Sequence, residues 1–438
     1  MAEQFWIETL GCPKNQVDSD KLLGRMLADG LEPAASPDEA DIVVVNTCAF
    51  VEEARQESID TILALQEARP EAELVVTGCM AERYGDELAE AMPEIDRVAG
   101  FGVPVTLGPT RSSGDRRETV PSFDLLELPR PASPVPWAYV KIAEGCDRRC
   151  GFCAIPQFRG PQRSRSIESI VREVDGLDVA EVVLVAQDLA AFGRDQGVGE
   201  RRIVPLIDEV ARRVPWVRLL YLYPSDLTDE LIDAICRTGV PYFDLSLQHV
   251  SRPLLRKMRR WGEGTVFLER IDAIRSREPE AAFRSNFIVG YPGETEDDHD
   301  RLLDFVEAAR LDWCGFFAYS EEAGTFAADL GAKVPGGLRD ERLAELRERQ
   351  DRITAEKRDE RIGRELELLV DRPGEGRSTG EAPEIDGVIR FDPAANPAIS
   401  PGAFVRAQVV SAEGPDLVVD RVRPVGGDVL GLTPSAVR

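Results

Sequence analysis

Short apolar runs alternate with stretches of helical spacing along most of the chain. Up to residue 118 three runs read as strands, Phe5–Leu10, Ile42–Val45 and Leu74–Val76, and helical spacing fills Asp18 to Asp29 and Glu52 to Ala68. Strand, helix and strand in succession predict a parallel sheet with helical crossovers. Arg111 to Pro136, with Ser112-Ser113-Gly114 and a Pro-rich end, is a linker by composition. The first domain is therefore expected at 1–118, with 119–136 as the linker.

From Trp137 the rhythm resumes for six cycles. Strands are predicted at Ala138–Ile142, Val182–Ala186, Val217–Leu222, Tyr242–Leu247, Phe283–Val289 and Gly315–Tyr319, with helices such as Ile167–Asp175, Val204–Arg213 and Glu296–Ala309 between them. Six units fit an open, partial TIM-type barrel better than the eight of a closed one. A charged helix, Leu338 to about Arg361, leads out and ends this domain near 360. Residues 361–430 then offer short β-rich pieces, Leu366–Val370, Gly387–Phe391, Phe404–Val410 and Leu417–Arg421, which predict a small all-β barrel. The fold class is α/β, multidomain.

Composition narrows the function. The chain has 438 residues, 79 Asp and Glu against 53 Lys and Arg, a net charge of −26, two histidines and eight cysteines. The start has no basic, apolar leader, and no apolar run approaches the ~18 residues of a membrane span. A cytoplasmic protein with reduced thiols is expected, in which grouped cysteines mean metal or catalysis rather than disulfides. Two histidines leave little room for His-based zinc sites or acid–base relays. The charge argues against a whole-surface grip on nucleic acid, and the C-terminal stretch 361–438, with 9 basic and 12 acidic residues, is a poor footprint for RNA. Residues 1–118 alone carry 10 basic and 24 acidic residues. An acidic protein suits a basic partner.

Six cysteines form two sets. Cys146, Cys150 and Cys153 make a C-x₃-C-x₂-C run directly after the first barrel strand, with Gly145 and Gly151 easing the bends. Such ligands can wrap one face of an iron–sulfur cluster and leave one iron open for chemistry. The alternative is a zinc knuckle short of one ligand, disfavoured because no histidine or fourth cysteine is near. Cys12, Cys48 and Cys79 are dispersed, but each ends a strand of one parallel sheet. Their sulfurs should meet at that sheet's C-terminal edge, either as a shared metal site or as core packing. Cys236 and Cys314 lack partners at ligand spacing and read as core residues. His299, in the acidic run Glu294 to Asp298, is expected on the surface, and His249, after Gln248 at a strand end, is either a substrate or cofactor contact or structural.

C-x₃-C-x₂-C on the first strand of a six-unit barrel, with an aromatic before its last cysteine, resembles the radical S-adenosylmethionine (SAM) signature. With three dispersed N-terminal cysteines and a C-terminal small barrel, the chain resembles the methylthiotransferases from end to end. Their fold has an N-terminal methylthiotransferase domain, a radical SAM barrel and a TRAM domain. One branch of that family modifies a tRNA adenosine, the other an aspartate of a small-subunit ribosomal protein. Gly11-Cys12-Pro13-Lys14-Asn15-Gln16-Val17-Asp18-Ser19-Asp20, Leu247-Gln248-His249 and Phe287 to Thr295 look like the second branch, as does Tyr319-Ser320 followed by Gly324-Thr325. Leu189 and Phe192 depart from it, standing where Thr and Tyr are expected.

The resemblance implies two 4Fe–4S clusters on the two cysteine sets. SAM would complete the barrel cluster and yield a 5′-deoxyadenosyl radical, while the N-terminal cluster carries the sulfur to be methylated and inserted. It also implies that both clusters face one cavity. Gln187, Asp188, Gln248, Asn286, Gly290 and Gly293 fall at strand ends and are candidates for the SAM pocket, or else loop architecture. Arg148, Arg149, Arg159, Arg163 and Arg165 would hold the target carboxylate or SAM's own, or offset the cluster's charge. No catalytic residue beyond the cluster ligands is expected, and no pattern names the electron donor or the sulfur donor. The rival readings are a tRNA adenosine methylthiotransferase and a non-enzymatic iron–sulfur carrier.

Overall fold

The computed structural model describes residues 3–101, 124–197 and 199–425. In the first region a parallel sheet is built from β1 (Gln4–Thr9), β2 (Glu32–Pro33), β3 (Ile42–Thr47), β4 (Glu73–Gly78) and β5 (Arg97–Ala99), in the order β2-β1-β3-β4-β5. Helices α1 (Pro13–Ala28), α2 (Glu52–Ala68) and α3 (Cys79–Ala91) form the crossovers. β3 is buried on both faces, as its unbroken Ile-Val-Val-Val run requires. The register pairs Thr47 with Gly78, so Cys48 and Cys79 leave adjacent strands side by side.

The second region begins with β6 (Trp137–Lys141) and a short antiparallel pair, β7 (Ala143–Glu144) and β8 (Arg163–Ser164), around α4 (Ile155–Arg159). It continues through α5 (Ile167–Leu177), β9 (Glu181–Val185), α6 (Ile203–Ala211), β10 (Trp216–Leu219), α7 (Asp229–Arg237) and β11 (Tyr242–Gln248). Next come α8 (Arg252–Lys257), α9 (Gly264–Arg277), β12 (Ala282–Val289), α10 (Glu296–Ala309), β13 (Trp313–Ala318) and the long α11 (Gly336–Asp359). The main strands form two parallel three-stranded sheets, β6-β9-β10 and β11-β12-β13, joined by a bridge between Leu222 and Leu245. This is the expected six-stranded open barrel. Its helical side holds the largest apolar core, including Val140, Val182, Leu184, Phe243, Phe283 and Phe287.

Five further strands close into a small barrel: β14 (Glu365–Arg372), β15 (Glu375–Arg377), β16 (Ile389–Arg390), β17 (Phe404–Glu413) and β18 (Asp416–Pro424). The segment 378–388 between its strands caps the N-terminal ends of the parallel barrel. Tyr139 Oη donates to Pro383 O (2.9 Å), Arg218 Nη1 to Thr379 O (2.9 Å) and Trp313 Nε1 to Gly380 O (2.7 Å), while Arg284 pairs with Asp386 (2.7 Å). Glu181 lies fully buried between Arg218 and Arg377, each at 2.7 Å.

Two expectations change. Where it is described, the tract read as a linker is packed: Leu125 and Leu126 are buried, and Arg130 pairs with Asp20 (2.7 Å) and Glu173 (2.9 Å). Composition missed this because the contacts lie across domains. His299 is buried, its Nε2 2.9 Å from Glu345, because the Thr295–Asp298 capping box turns the first turn of α10 toward α11.

Glu181→Ala is expected to lower stability by about 3–5 kcal/mol, since it leaves Arg218 and Arg377 unpaired in the interior. Urea unfolding followed by tryptophan fluorescence reads this, and a loss below about 1 kcal/mol would place the pair among weak surface-type bridges.

Candidate functional site

The N-terminal thiols converge at the C-terminal edge of their sheet. Cys12 is the N-cap of α1, Cys48 follows β3 and Cys79 opens α3. Asn15 ties them together: its Nδ2 donates to Leu10 O (2.8 Å) and Thr47 O (3.1 Å), and its Oδ1 lies 3.7 Å from Cys79 Sγ. Gly11 has φ +95°, and a Cβ there would stand 3.0 Å from Cys48 Sγ. Only glycine lets the backbone pass so close to the thiols.

Their charge environment is uneven. Burial alone would push Cys12 up, but the Lys14 and Arg159 cations and two backbone N–H groups hold it below its ordinary value. Burial, then the neighbouring Cys79 and Cys12, push Cys48 up to about 12, and burial also raises Cys79. Thiols that resist ionisation on their own ionise when a metal supplies positive charge.

The barrel thiols sit on the loop after β7. Gly145, at φ +77°, carries the loop past the Gly160 and Pro161 carbonyls, where any side chain would collide. Gly151 N donates to Met258 O (2.8 Å) and its carbonyl accepts from Ala327 N (2.7 Å), fixing the loop between Cys150 and Cys153. Cys146 Sγ accepts from Arg148 N (3.4 Å), and Arg260 Nη1 reaches Cys150 Sγ (3.5 Å). Burial raises Cys146 to about 11, with Asp188 and then Cys150 adding to it, and raises Cys153 to about 12, with Cys150 and Cys146 adding. Among the described residues, no three His, Cys, Asp or Glu side chains form a site for a single ion. A cuboidal cluster instead takes one thiolate per iron.

One residue links the two sets. Arg159, at the end of α4, is buried and reaches Cys79 Sγ (3.0 Å), Asn15 Oδ1 (3.0 Å) and Glu144 Oε1 (2.8 Å). Glu144 also accepts from Lys141 Nζ (2.7 Å) and Gln187 Nε2 (2.6 Å), and Lys141 pairs in turn with Asp18 of α1. Burial would raise Glu144, yet Arg159 and Lys141 hold its carboxyl well below the usual range. On the far side, Glu322 after β13 takes Arg55 of α2 (2.7 Å) and Arg83 of α3 (2.6 Å). The N-terminal domain thus clasps both edges of the open barrel.

The SAM candidates divide. Gln187 Oε1, Asp188 Oδ1 and Asn286 Oδ1 are buried acceptors without a hydrogen-bond partner. Gln187 and Asp188 follow β9, whereas Asn286, expected at a strand end, lies mid-strand in β12 opposite Gly315; orphaned acceptors of this kind fit a ligand rich in donors, such as an amino group and ribose hydroxyls. Gln248 stands at φ +71° beside a register shift in β11, a strained position. Gly290 and Gly293 shape a turn against Arg339 and Lys257, with the Gly290 N–H donated to Glu294 (2.7 Å). Leu189 and Phe192 are fully buried, so the two departures serve packing.

The arginine patch is mostly committed elsewhere. Arg148 is held by Asp188 (2.6 Å) and Asp226, Arg163 by Asp124 (2.5 Å) and Arg165 by Glu173 (2.6 Å), while Arg149 is exposed. Cys236 and Cys314 are partly buried against the barrel core. His249 is fully buried, its Nδ1 accepting from Ser251 N (3.0 Å), and burial lowers its pKa from the ordinary 6.5 to about 4. Sequence reasoning grouped Arg159 with its neighbours and left Glu144 unnoticed. The one signal for Glu144 was its position two residues before Cys146.

His249 folds neutral, so the unfolded chain takes up a proton first as pH falls. Its contribution is complete above pH 6.5 and declines toward pH 4, by about 3 kcal/mol at most. Urea titrations from pH 7 to 5 should show a shallower loss of stability in His249→Asn than in the parent, and equal slopes would contradict the assignment.

Family models agree with this architecture. "Uncharacterized protein family UPF0004" matches residues 4–100, the Radical SAM superfamily 140–306 and the TRAM domain 362–422. The ribosomal protein uS12 methylthiotransferase RimO of Moorella thermoacetica is 44% identical over 87% of this chain and 91% of that protein. The protein of the same name from Aquifex aeolicus is 40% identical over 94% and 95%. A solved radical SAM methyltransferase, TsrM from Kitasatospora setae with cobalamin and a [4Fe–4S] cluster bound, is similar at TM-score 0.48 and 16% identity, over 88% of this chain and 82% of that one. No described helix is long and apolar enough to cross a membrane. With two thiol sets, an open six-stranded barrel and identity of this extent, the chain belongs to the RimO family of radical SAM methylthiotransferases.

Proposed function

We propose that this protein methylthiolates the β-carbon of an aspartate in the small-subunit ribosomal protein uS12. Cys146, Cys150 and Cys153 would hold one 4Fe–4S cluster, and Cys12, Cys48 and Cys79 a second. SAM would serve as methyl donor and radical source, and held against the barrel cluster it would supply the radical chemistry needed to take hydrogen from an unactivated carbon. No side chain could remove that hydrogen as a proton at neutral pH, which accounts for a site without histidine.

The observation that carries this reading is Arg159, which touches a thiol of one set and the glutamate beside the other. Reaction at one carbon needs both sets at one cavity, and this contact holds their two edges together. The orphaned acceptors of Gln187, Asp188 and Asn286 orient SAM, with Gln248 and the Gly290–Gly293 turn completing the mouth. Functional units of 1–118, 137–360 and 361–430, joined by 119–136, act in the cytoplasm. A −26 enzyme draws a basic ribosomal protein toward it, while the acidic C-terminal barrel makes no RNA contact.

The test is anaerobic reconstitution with iron, sulfide, reductant and SAM, offering uS12 and bulk tRNA together and reading both by mass spectrometry. A methylthio group on one uS12 aspartate and none on tRNA is expected, and the reverse would overturn the assignment. Cys146→Ala should abolish 5′-deoxyadenosine, whereas Cys12→Ala should keep it and lose sulfur insertion. Continued 5′-deoxyadenosine formation by Cys146→Ala would contradict the cluster assignment.

A further inference from the structure

We infer that Lys14 is the specificity-determining cation of this site, its ammonium receiving the carboxylate of the substrate aspartate in the cavity between the two thiol sets. The inference rests on the aspartate reading above.

Lys14 stands two residues beyond Cys12, in the first turn of α1. Its Nζ lies 3.5 Å from the centroid of the Tyr221 ring. A ring face attracts an ammonium without accepting its three N–H groups in the manner of a carboxylate. Among the described residues no carboxylate lies within ion-pair distance of Lys14; the buried Asp244 carboxylate, bonded to the Tyr221 N–H, feels its charge without touching it. That is unusual beside this site, where Lys141, Arg148 and Arg159 are each held by acids.

Tyr221 fixes where the ammonium is. It follows β10 at the barrel mouth with φ +65°, a strained position for a tyrosine. Its N–H donates to buried Asp244 (2.9 Å), which secures the ring-bearing turn. Two residues on, the Tyr223 ring carries the Arg148 guanidinium at 3.7 Å and that of Arg260 at 4.1 Å; Arg260 Nη1 reaches Cys150 Sγ, and the Arg148 backbone N–H donates to Cys146 Sγ. The short run 221–223 therefore spans the site, with Lys14 at the N-terminal thiol end and the two arginines at the other.

Elimination points the same way. Arg148 is saturated by Asp188 and Asp226, Arg159 by Glu144, Asn15 and Cys79, and Arg260 gives an N–H to the Ser246 carbonyl. A substrate carboxylate arriving here finds in Lys14 a cation near the N-terminal thiols that has no carboxylate bonded to it directly. Hydrogen abstraction from the adjacent carbon needs that carboxylate fixed, since positioning is the chain's main contribution to radical chemistry. The competing role for Lys14 is a counter-charge to the N-terminal cluster.

The experiment uses reconstituted holoenzyme, wild type, Lys14→Met and Lys14→Arg. Binding is measured by fluorescence anisotropy to labelled uS12 and to uS12 with its modified aspartate replaced by asparagine. Iron content and the electron paramagnetic resonance spectrum of each variant are recorded alongside. Wild type should bind the aspartate form about 10–100-fold tighter than the asparagine form, the range for one charge-assisted hydrogen-bonded pair. Lys14→Met should erase that preference with iron content and spectrum unchanged, and Lys14→Arg should retain most of it. A Lys14→Met protein that keeps the preference, or that loses the N-terminal cluster, overturns the inference. Wild type without any preference, together with failure to modify uS12, removes the aspartate reading itself.

Discussion

The arrangement depends on a buried chain of charges that runs from one domain into the other: Asp18, Lys141, Glu144, Arg159 and the thiol of Cys79. A buried charge left unpaired is strongly destabilising, and each of these groups is paired across the domain boundary or along the loop that leads to Cys146. An apolar interface of the same size could be as stable. It would not fix the two thiol sets in one relation, because dispersion contacts tolerate sliding where a hydrogen-bonded guanidinium does not. The network is thus better understood as alignment than as adhesion.

The rest of the fold supports that alignment from outside. An open barrel has two free edges, and the N-terminal domain holds both, through Arg159 at the β6 side and through Arg55 and Arg83 on Glu322 beyond β13. The opposite end is capped by residues 378–388, whose backbone and carboxylates satisfy Tyr139, Arg218, Arg284 and Trp313. With the base capped and the edges clasped, the strands' C-terminal mouth is the end left open, and both thiol sets lie at it. The small C-terminal barrel thereby contributes directly to the catalytic domain's architecture.

Much of this was legible along the chain. Strand runs such as Ile42–Val45 and Phe283–Val289 announce themselves by apolar continuity, and the cysteines at their ends follow from parallel topology. What escaped has a common cause. Helix α3 begins at Cys79 itself and is kinked at Gly85, so no clean apolar stripe marks it. Arg130, Glu181, Glu322 and His299 look like solvated charges locally, and only tertiary partners bury them. The link from Arg159 to Cys79 joins residues eighty positions apart, beyond the reach of any local pattern.

If both thiol sets open onto one cavity, the two clusters they hold must sense each other magnetically. Electron paramagnetic resonance of the protein with both clusters reduced tests it most directly, against variants in which Cys12→Ala or Cys146→Ala leaves a single cluster. A wild-type spectrum split or broadened by spin coupling between the clusters is expected. A wild-type spectrum equal to the plain sum of the two single-cluster spectra would contradict it.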